Sequence, residues 1–217
     1  YHHRVARLRH GMGEGVEDRH FLGAGRAQVF QQQRAALLIE GSAARRQDLR
    51  HLHAVQRNRW LAAAAFDYPV DLPLDYGISP PAIDIGWLPA GPFAVLLTAT
   101  SRDDKLWQEA HWHALGRALS GAGVTAVLPA GNARERERAE RIAAAVAGAM
   151  VAPPLGLREL AALLAGASVV ISVDTGLAHL AAALHVPVIA LYVATDPSLT
   201  GVFGDGFIRN LGNTGRP

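Results

Sequence analysis

Apolar and polar residues are arranged in blocks along residues 91–217, and the blocks have the lengths of strands and helices. Short runs of consecutive apolar residues, rich in valine and isoleucine, are each followed by a longer amphipathic segment. The runs predict strands at 93–98, 124–129, 150–152, 169–173 and 188–192. The segments between them predict helices at 107–120, 133–149, 157–165 and 176–185. Continuous apolar strands that alternate with helices are typical of a parallel sheet covered on both faces, so we expect an α/β, Rossmann-like fold.

The residues before this repeat follow different patterns. Residues 53–66 contain no helix breaker and predict a helix, whereas 69–92 are rich in proline and predict an extended linker with a domain boundary near residue 90. Residues 1–47 are rich in arginine and show little periodicity, so we expect this leader to have little independent structure. Its histidines are irregularly spaced and no carboxylate is placed to orient them, so no metal site is expected at His2, His3, His10 or His20.

Composition excludes several classes of protein. The chain has no cysteine, which excludes disulfides and thiolate metal sites and favours a reducing compartment. No apolar stretch is long enough to span a bilayer and no signal peptide opens the chain, so we expect a soluble, cytoplasmic protein. The formal net charge is only +2, and the excess of arginine over the single lysine, Lys105, resembles a compositional habit of the genome. No nucleic-acid partner is expected.

Polar residues that could carry chemistry follow three of the predicted strands. They lie at 98–105, 129–135 and 174–179. Ligands of open parallel sheets bind outside the carboxyl ends of the strands, so these segments should converge on one edge of the sheet.

The turn Asp174-Thr175-Gly176 is the most informative of the three segments. We expect Asp174 or Thr175 to cap the following helix through a side-chain oxygen, while Gly176 allows a ligand close to the backbone. The free N–H groups and the helix dipole would favour a phosphate there. His179 lies on the same helix face as Thr175 and could donate to a phosphate or sugar oxygen. An ordinary capped turn and a partly buried structural histidine are the alternatives.

The other two segments offer what a nucleotide diphosphate needs. Lys105 supplies a cation, Thr100 and Ser101 supply hydroxyl donors, and Glu135 could accept hydrogen bonds from ribose. The remaining charges near them have simpler interpretations. We expect residues 102–104 to cap the helix near Trp107 and form weak local ion pairs, and residues 134–141 to form a solvated helix face with i,i+4 pairs. No P-loop, H-E-x-x-H zinc motif or nucleophile elbow is present.

Three motifs together resemble one known family. They are Thr98-Ala-Thr-Ser-Arg-Asp-Asp-Lys-Leu-Trp107, Ser172-Val-Asp-Thr-Gly-Leu-Ala-His-Leu180 and Tyr192-Val-Ala-Thr-Asp-Pro197. In these residues the chain resembles the lipopolysaccharide heptosyltransferase I family, which belongs to glycosyltransferase family 9. The resemblance covers roughly residues 48–212, whereas residues 1–47 show none.

The resemblance implies a fold and an activity. The fold would be the C-terminal half of a GT-B glycosyltransferase with a truncated N-terminal domain: 48–90 a remnant of the acceptor domain, and 91–217 the ADP-heptose-binding domain. The enzyme would transfer L-glycero-D-manno-heptose from ADP-heptose to Kdo-lipid A, in peripheral contact with the cytoplasmic face of the inner membrane. The donor is a substrate, and neither a cofactor nor a metal is implied.

The resemblance also assigns site residues. Thr100, Ser101 and Lys105 match the phosphate-contacting loop, and Lys105 with the helix dipole would stabilise the leaving ADP. Glu135 matches the ribose-binding acid and Leu155 lines the adenine pocket. The turn that holds the diphosphate and heptose matches Asp174, Thr175, Gly176 and His179.

Departures from the family pattern leave alternatives open. The family's glycine-rich loop and its general-base aspartate have no counterpart, and its Tyr-Gly-Pro-Thr turn is Tyr192-Val-Ala-Thr195 here. A tryptophan common in the family is replaced by Ala130. The alternatives to an active heptosyltransferase I are a catalytically incomplete fragment that binds nucleotide sugar, and a related heptosyltransferase II.

Overall fold

A parallel sheet of six strands forms the centre of the molecule. The structure is a computed structural model that describes residues 49, 51–71 and 73–212, so the predicted leader and its histidines lie outside the described residues. The strands are β1 (Phe93–Leu97), β2 (Thr125–Leu128), β3 (Met150–Val151), β4 (Val169–Val173), β5 (Val188–Tyr192) and β6 (Ile208–Gly212). Their order is β3-β2-β1-β4-β5-β6, and every neighbouring pair is parallel. The predicted Rossmann-like sheet is confirmed.

Helices cover both faces of this sheet. They are α1 (Ala54–Phe66), α2 (Glu109–Gly121), α3 (Ala133–Ala144), α4 (Leu157–Gly166), α5 (Gly176–Ala183) and α6 (Pro197–Thr200), with a short 3₁₀ turn at Asp103–Lys105. Successive residues of β1 point to opposite faces. Val95 packs in the core beneath α4 and α5, whereas Leu96 packs in the core beneath α2 and α3, next to Trp112. Both faces of β1 are therefore buried, as the continuous apolar run predicts.

The helix ends differ from prediction where the backbone makes a turn. Helix α3 ends at Ala144 because the chain turns through Gly148, whose φ is +75°, before β3. Helix α5 ends at Ala183 because His185 adopts a left-handed conformation with φ of +59°. The N–H groups of His185 and Val186 donate to the carbonyls of Ala182 and Ala181, which closes the helix as a Schellman motif. Strand β6 and helix α6 were not predicted.

Helix α1 lies against the segment that follows α6. His53 caps α1 by accepting the Val55 N–H on Nδ1, so Nε2 carries the proton that it donates to the Gly201 carbonyl at 2.9 Å. The His53 ring stacks on Phe203 at 4.8 Å, and the Tyr76 hydroxyl donates to the Phe203 carbonyl. The proline-rich segment 73–92 contains no helix or strand, and its apolar residues Ile85, Trp87 and Leu88 pack against the core beneath α4 and α5.

Candidate functional site

The candidate site lies outside the carboxyl ends of β1 and β4. These two strands are neighbours in the middle of the sheet, at the point where the strand order reverses direction. Doubly wound sheets bind ligands in the crevice at such a switch point. The loop after β1 meets the turn after β4 there, because the Thr100 hydroxyl donates to the backbone carbonyl of Asp174 at 2.8 Å.

Three segments of the chain meet at the Asp174 side chain. Lys105 Nζ donates to Asp174 Oδ2 at 2.7 Å, and Thr195 Oγ1, from the loop after β5, donates to the same oxygen at 2.8 Å. The Lys105 and Asp174 side chains are only 17% and 15% exposed. Sequence reasoning did not name Thr195 as a site residue, although it lies in a motif that carries the family resemblance.

The Asp174 carboxylate is held in its charged form. Burial raises its pKa, but the hydrogen bonds from Lys105 and Thr195 and the positive charge of Lys105 outweigh burial, so the pKa lies below its ordinary value of 3.8. An ammonium group has further N–H donors after one is used. Lys105 can therefore bind Asp174 and a second anion at the same time.

Helix α5 begins beside this ion pair without a side-chain cap. Thr175 is the N-cap residue in an extended conformation, and its side chain makes no capping hydrogen bond. The predicted cap is wrong because the Asp174 oxygen that could cap the helix faces Lys105 and Thr195 instead. A Cβ built on Gly176 would meet no atom within 4 Å, so the first turn of α5 borders open space. Uncapped N–H groups at a helix N-terminus favour an anion.

His179 lies one turn into α5 and is half-buried. Burial lowers its pKa below the ordinary 6.5, while the Asp174 charge raises it and His53 lowers it further. At pH 7 the imidazole is therefore neutral, with one donor nitrogen and one acceptor nitrogen. His179 can hydrogen-bond a neutral hydroxyl or a phosphate oxygen without bringing a second full charge.

The segment after β2 reaches the same edge of the sheet. Arg134, in the first turn of α3, donates to both oxygens of Asp103 at 2.9 and 3.0 Å, which joins this segment to the loop after β1. Glu135 closes the start of α3: its carboxylate accepts from the Gly131 N–H and from the Asn132 amide, each at 2.8 Å. The predicted convergence of three strand ends on one edge is confirmed. Ribose binding by Glu135 remains a prediction.

Two other predicted site residues make no contact with Asp174 among the described interactions. Ser101 is exposed on the loop after β1, and Leu155, after β3, packs partly buried against the core beneath α4 and α5. Leu155 thus has a structural role beside its predicted contact with adenine, which remains a prediction.

Two predictions about charged residues were wrong in part. Residues 103–105 form their own 3₁₀ turn, and α2 begins later, after Gln108, whose side chain makes no cap. Only the expected local ion pair, Arg102 with Asp104, is present there. The predicted solvated face of α3 is present at Arg134, Glu137 and Arg141, which are exposed. The hydrogen bond from Glu109 raises the pKa of Arg141, and the charge of Glu137, four residues before it, raises it further. The prediction fails for Arg138, which with Arg141 binds Glu109 of the neighbouring helix α2, at 3.1 and 2.8 Å.

Two kinds of feature are absent from the described residues. No group of three or more His, Cys, Asp or Glu side chains there is placed to hold a metal ion. Among the described helices, none combines the length and the apolar character that crossing a membrane requires.

Comparison with protein families gives a match over most of the chain. A family model described as glycosyltransferase family 9 (heptosyltransferase) matches residues 20–215. The match begins inside the predicted leader, so the expectation that residues 1–47 show no likeness to the family is wrong for residues 20–47.

Individual relatives agree with the family match. Lipopolysaccharide heptosyltransferase 1 of Pseudomonas aeruginosa is 44% identical over 153 residues, which cover 70% of this chain and 43% of that protein. The solved structure of Escherichia coli heptosyltransferase WaaC with ADP is 40% identical with a TM-score of 0.63, over 73% of this chain and 50% of that one. The same enzyme with ADP-2-deoxy-2-fluoro heptose is 39% identical with a TM-score of 0.56, over 72% and 49%. The chain spans about half the length of the relatives it matches.

Proposed function

The chain belongs to glycosyltransferase family 9, and on that premise we propose that it is a heptosyltransferase of lipopolysaccharide core synthesis. It binds ADP-heptose and transfers L-glycero-D-manno-heptose to the Kdo-lipid A inner core. Relatives named lipopolysaccharide heptosyltransferase 1, at 44% identity, support this proposal. The likeness to a heptosyltransferase structure that contains ADP supports the choice of donor nucleotide.

The observation that carries the proposal is that the segments after β1, β4 and β5 meet at Asp174. Thr100 binds its carbonyl, while Lys105 and Thr195 bind its carboxylate. These contacts place a cation next to an uncapped helix N-terminus at the switch point of the sheet. A cation and free amides on one side of an open crevice suit a diphosphate.

Each residue of this crevice has its own role in binding the diphosphate. The amides at Thr175 and Gly176 and the ammonium of Lys105 bind the diphosphate, with Ser101 as an additional hydroxyl donor. Asp174 keeps Lys105 in place, so its negative charge is balanced and does not repel the donor. Thr100 holds the turn and the loop together through its hydrogen bond to the Asp174 carbonyl.

The rest of the donor is assigned to residues around this crevice. Glu135 binds ribose: each of its carboxylate oxygens accepts one hydrogen bond of the α3 cap and has a further lone pair for a sugar hydroxyl. Leu155 contacts adenine, and the neutral imidazole of His179 binds the heptose or the phosphate next to it. No cofactor takes part, because ADP-heptose is itself the activated donor.

The chemistry that these groups support is displacement at the anomeric carbon. An acceptor hydroxyl oxygen attacks that carbon and its proton is released to water, while the bond between the carbon and the β-phosphate oxygen of ADP breaks and its electron pair stays on ADP. Negative charge grows on the leaving ADP as the bond breaks. Lys105 and the α5 amides lie where they stabilise that charge, and such preorganised electrostatic stabilisation is a large contribution to catalysis.

A donor-binding protein without transferase activity is the second candidate. It is favoured by the sequence, in which the general-base aspartate expected from the family has no counterpart. General-base catalysis contributes roughly 10²- to 10⁴-fold to a rate. Such a protein would bind ADP-heptose in the same crevice and release it unchanged.

Calorimetry followed by a transfer assay tests the proposal. The purified chain is titrated with ADP, and is then incubated with ADP-heptose and Kdo-lipid A while the mass of the lipid product is measured. Binding together with a heptose-sized mass increase supports the transferase, and binding without product supports the donor-binding protein. Absence of ADP binding contradicts both. A second acceptor that already carries one heptose distinguishes heptosyltransferase II, which would extend only that lipid.

The proposed acceptor also implies a location in the cell. We propose that the protein contacts the cytoplasmic face of the inner membrane peripherally, because Kdo-lipid A is embedded there. Sedimentation with vesicles tests this: the chain should pellet with vesicles that contain Kdo-lipid A. Equal pelleting with vesicles of the same lipids lacking Kdo-lipid A would contradict recognition of the acceptor.

A further inference from the structure

One arginine outside the crevice contacts both ends of the loop that carries Thr100, Ser101 and Lys105. Arg138, in the middle of α3, donates from Nε to the Thr98 carbonyl at 3.2 Å and from Nη2 to the Trp107 carbonyl. Thr98 immediately follows β1, and Trp107 lies just before α2. A single guanidinium group therefore spans the loop 98–107 from its first residue to its last.

Arg138 is largely buried and fully hydrogen-bonded, unlike a solvated surface arginine. Its side chain is only 14% exposed. Burial lowers the pKa of Arg138, and Glu109, which accepts from Nη1 at 3.1 Å, raises it. Glu109 is in turn bound by Arg141 at 2.8 Å. All three guanidinium nitrogens of Arg138 thus have an acceptor, and its plane is fixed relative to the loop.

The other arginines on the same helix lack this arrangement. Arg141 is 57% exposed and binds Glu109, and Arg134 is 78% exposed and binds Asp103. Arg136 donates to the Ala152 carbonyl, which follows β3, at 3.1 Å. None of the described hydrogen bonds of these three arginines reaches a backbone carbonyl of the loop. A lysine at 138 would not replace the arginine, because the planar guanidinium offers donors in several fixed directions and an ammonium does not.

We propose that Arg138 is a positioning residue for the donor site, which holds loop 98–107 so that Lys105 stays within reach of Asp174 and of the donor diphosphate. The loop has little regular structure of its own beyond the short 3₁₀ turn at Asp103–Lys105. Fixing both ends of such a loop removes freedom that ligand binding would otherwise have to remove. This inference rests on the proposed function for its consequence in donor binding, but the positioning itself does not depend on a ligand.

Hydrogen exchange in the free protein tests the positioning directly. Amide exchange across residues 99–106 is measured by mass spectrometry in the wild-type chain and in Arg138→Gln, Arg138→Lys and Arg141→Gln. Arg141→Gln is the matched control, since it removes a cation from the same helix and the same Glu109 while leaving both loop carbonyls bound. We expect exchange in the loop to rise roughly tenfold in Arg138→Gln and to stay unchanged in Arg141→Gln. Equal exchange in these two variants would overturn the inference.

Donor binding gives the second readout. Titration with ADP should show affinity reduced about tenfold or more in Arg138→Gln, reduced less in Arg138→Lys, and within about twofold of wild type in Arg141→Gln. Where transfer is measurable, KM for the donor should rise more than kcat falls, because the loop can still reach its bound position. An unchanged ADP affinity in Arg138→Gln would overturn the role in donor binding.

Failure of the proposed function and failure of the role of Arg138 can be distinguished by these two experiments. If the wild-type chain does not bind ADP, the proposed function fails, while the exchange comparison still decides whether Arg138 holds the loop. If Arg138→Gln does not fold, as circular dichroism would show, Arg138→Lys decides, because it keeps the charge next to Glu109. Loop exchange in Arg138→Lys that equals wild type would then contradict the proposal.

Discussion

Helices α3 and α5 begin at the same edge of the sheet, but their first turns are finished in opposite ways. At α3 the Asn132 side chain accepts a hydrogen bond from the Glu135 N–H, and the Glu135 carboxylate accepts one from the Gly131 N–H. The arrangement resembles a capping box, except that Glu135 accepts from the residue before the N-cap. At α5 the N-cap Thr175 makes no side-chain bond, and the acidic Asp174 before it is bound to Lys105 and Thr195. The chain satisfies one helix end with its own side chains and leaves the other open.

The difference shows which helix end is available to an anion. A helix N-terminus carries a positive partial charge that either a side chain or a ligand can neutralise. At α3 the Asn132 side chain accepts a first-turn N–H, and the acidic Glu135 lies in the same turn. At α5 the carboxylate is turned towards a lysine, so the helix end and the cation are both directed at the crevice. Substitutions at one helix end or the other therefore test this difference.

Removing the cation beside α5 should have the largest effect. Lys105→Met keeps most of the side-chain volume but removes the ammonium group, and with it a charge-assisted hydrogen bond to phosphate. Such bonds contribute roughly 1.5–3 kcal/mol, so we expect ADP affinity to fall by about ten- to a hundredfold, as measured by calorimetry.

Arg102→Met is the control for this change. It removes a cation three residues away, whose partner Asp104 is exposed, and should leave ADP affinity within about twofold of wild type. Similar losses in both variants would mean that general positive charge, and not Lys105, attracts the nucleotide.

Giving α5 a cap of its own should convert it into a helix end of the α3 type. Thr175→Asp places a carboxylate at the N-cap, where it can accept the free N–H groups of the first turn. ADP affinity should fall about tenfold while thermal stability is kept, because the new acceptor competes with the phosphate and repels it. Thr175→Val, which has the same shape but no acceptor, should lose less affinity. An unchanged affinity in Thr175→Asp would show that the α5 amides do not bind the nucleotide.

Removing the cap at α3 should affect stability and not binding. Asn132→Ala deletes the side chain that accepts the Glu135 N–H, and the loss of an N-cap costs about 1 kcal/mol of unfolding free energy. Urea denaturation measures this change. ADP affinity should stay within about twofold of wild type, because the Glu135 carboxylate that we assign to ribose is retained. A larger loss of affinity than of stability would place Asn132 itself in the site.

The smallest predicted effect is the contribution of Asp174 to the pH dependence of the unfolding free energy. Its pKa in the folded chain lies below its ordinary 3.8, so the ionised form is bound more tightly in the folded state. The stabilisation is therefore complete above the ordinary pKa and is lost as pH falls through the lower, folded value. Unfolding curves of wild type and Asp174→Asn should differ near pH 7 and approach each other at pH values below 3.8. A constant difference down to the lowest pH would contradict this assignment.

Sequence patterns predicted most of this fold because apolar runs report burial directly. Strands 169–173 and 188–192 were predicted with their observed bounds, and the first of them is followed directly by the polar turn Asp174-Thr175-Gly176. The α/β alternation also predicted that the polar residues after β1, β2 and β4 share one edge. Strand β6 was not predicted because four of its five residues are exposed, so it lacks the apolar pattern of the other strands.

The details of the site were less predictable, because they depend on which of several partners a polar side chain selects. Asp174 has the right position to cap α5, and only the tertiary structure brings Lys105 and Thr195 to it. Arg138 belongs to a sequence in which arginine and glutamate alternate and which predicts a solvated face. Its burial between α3 and the loop after β1 follows from packing that no local pattern contains.

A helix end left open to a ligand has a consequence for how this site can change by mutation. Its hydrogen-bond donors belong to the backbone, so most substitutions at Thr175 or Gly176 cannot delete them. Three kinds of substitution would weaken anion binding at the N-terminus of α5. They are a proline, which lacks the N–H, a side chain with its own acceptor, and a side chain that fills the space beside Gly176. The capacity to hold an anion is thus robust in this protein, whereas the identity of the anion depends on a few replaceable side chains. Sequence drift would change the preferred nucleotide before it abolished phosphate binding.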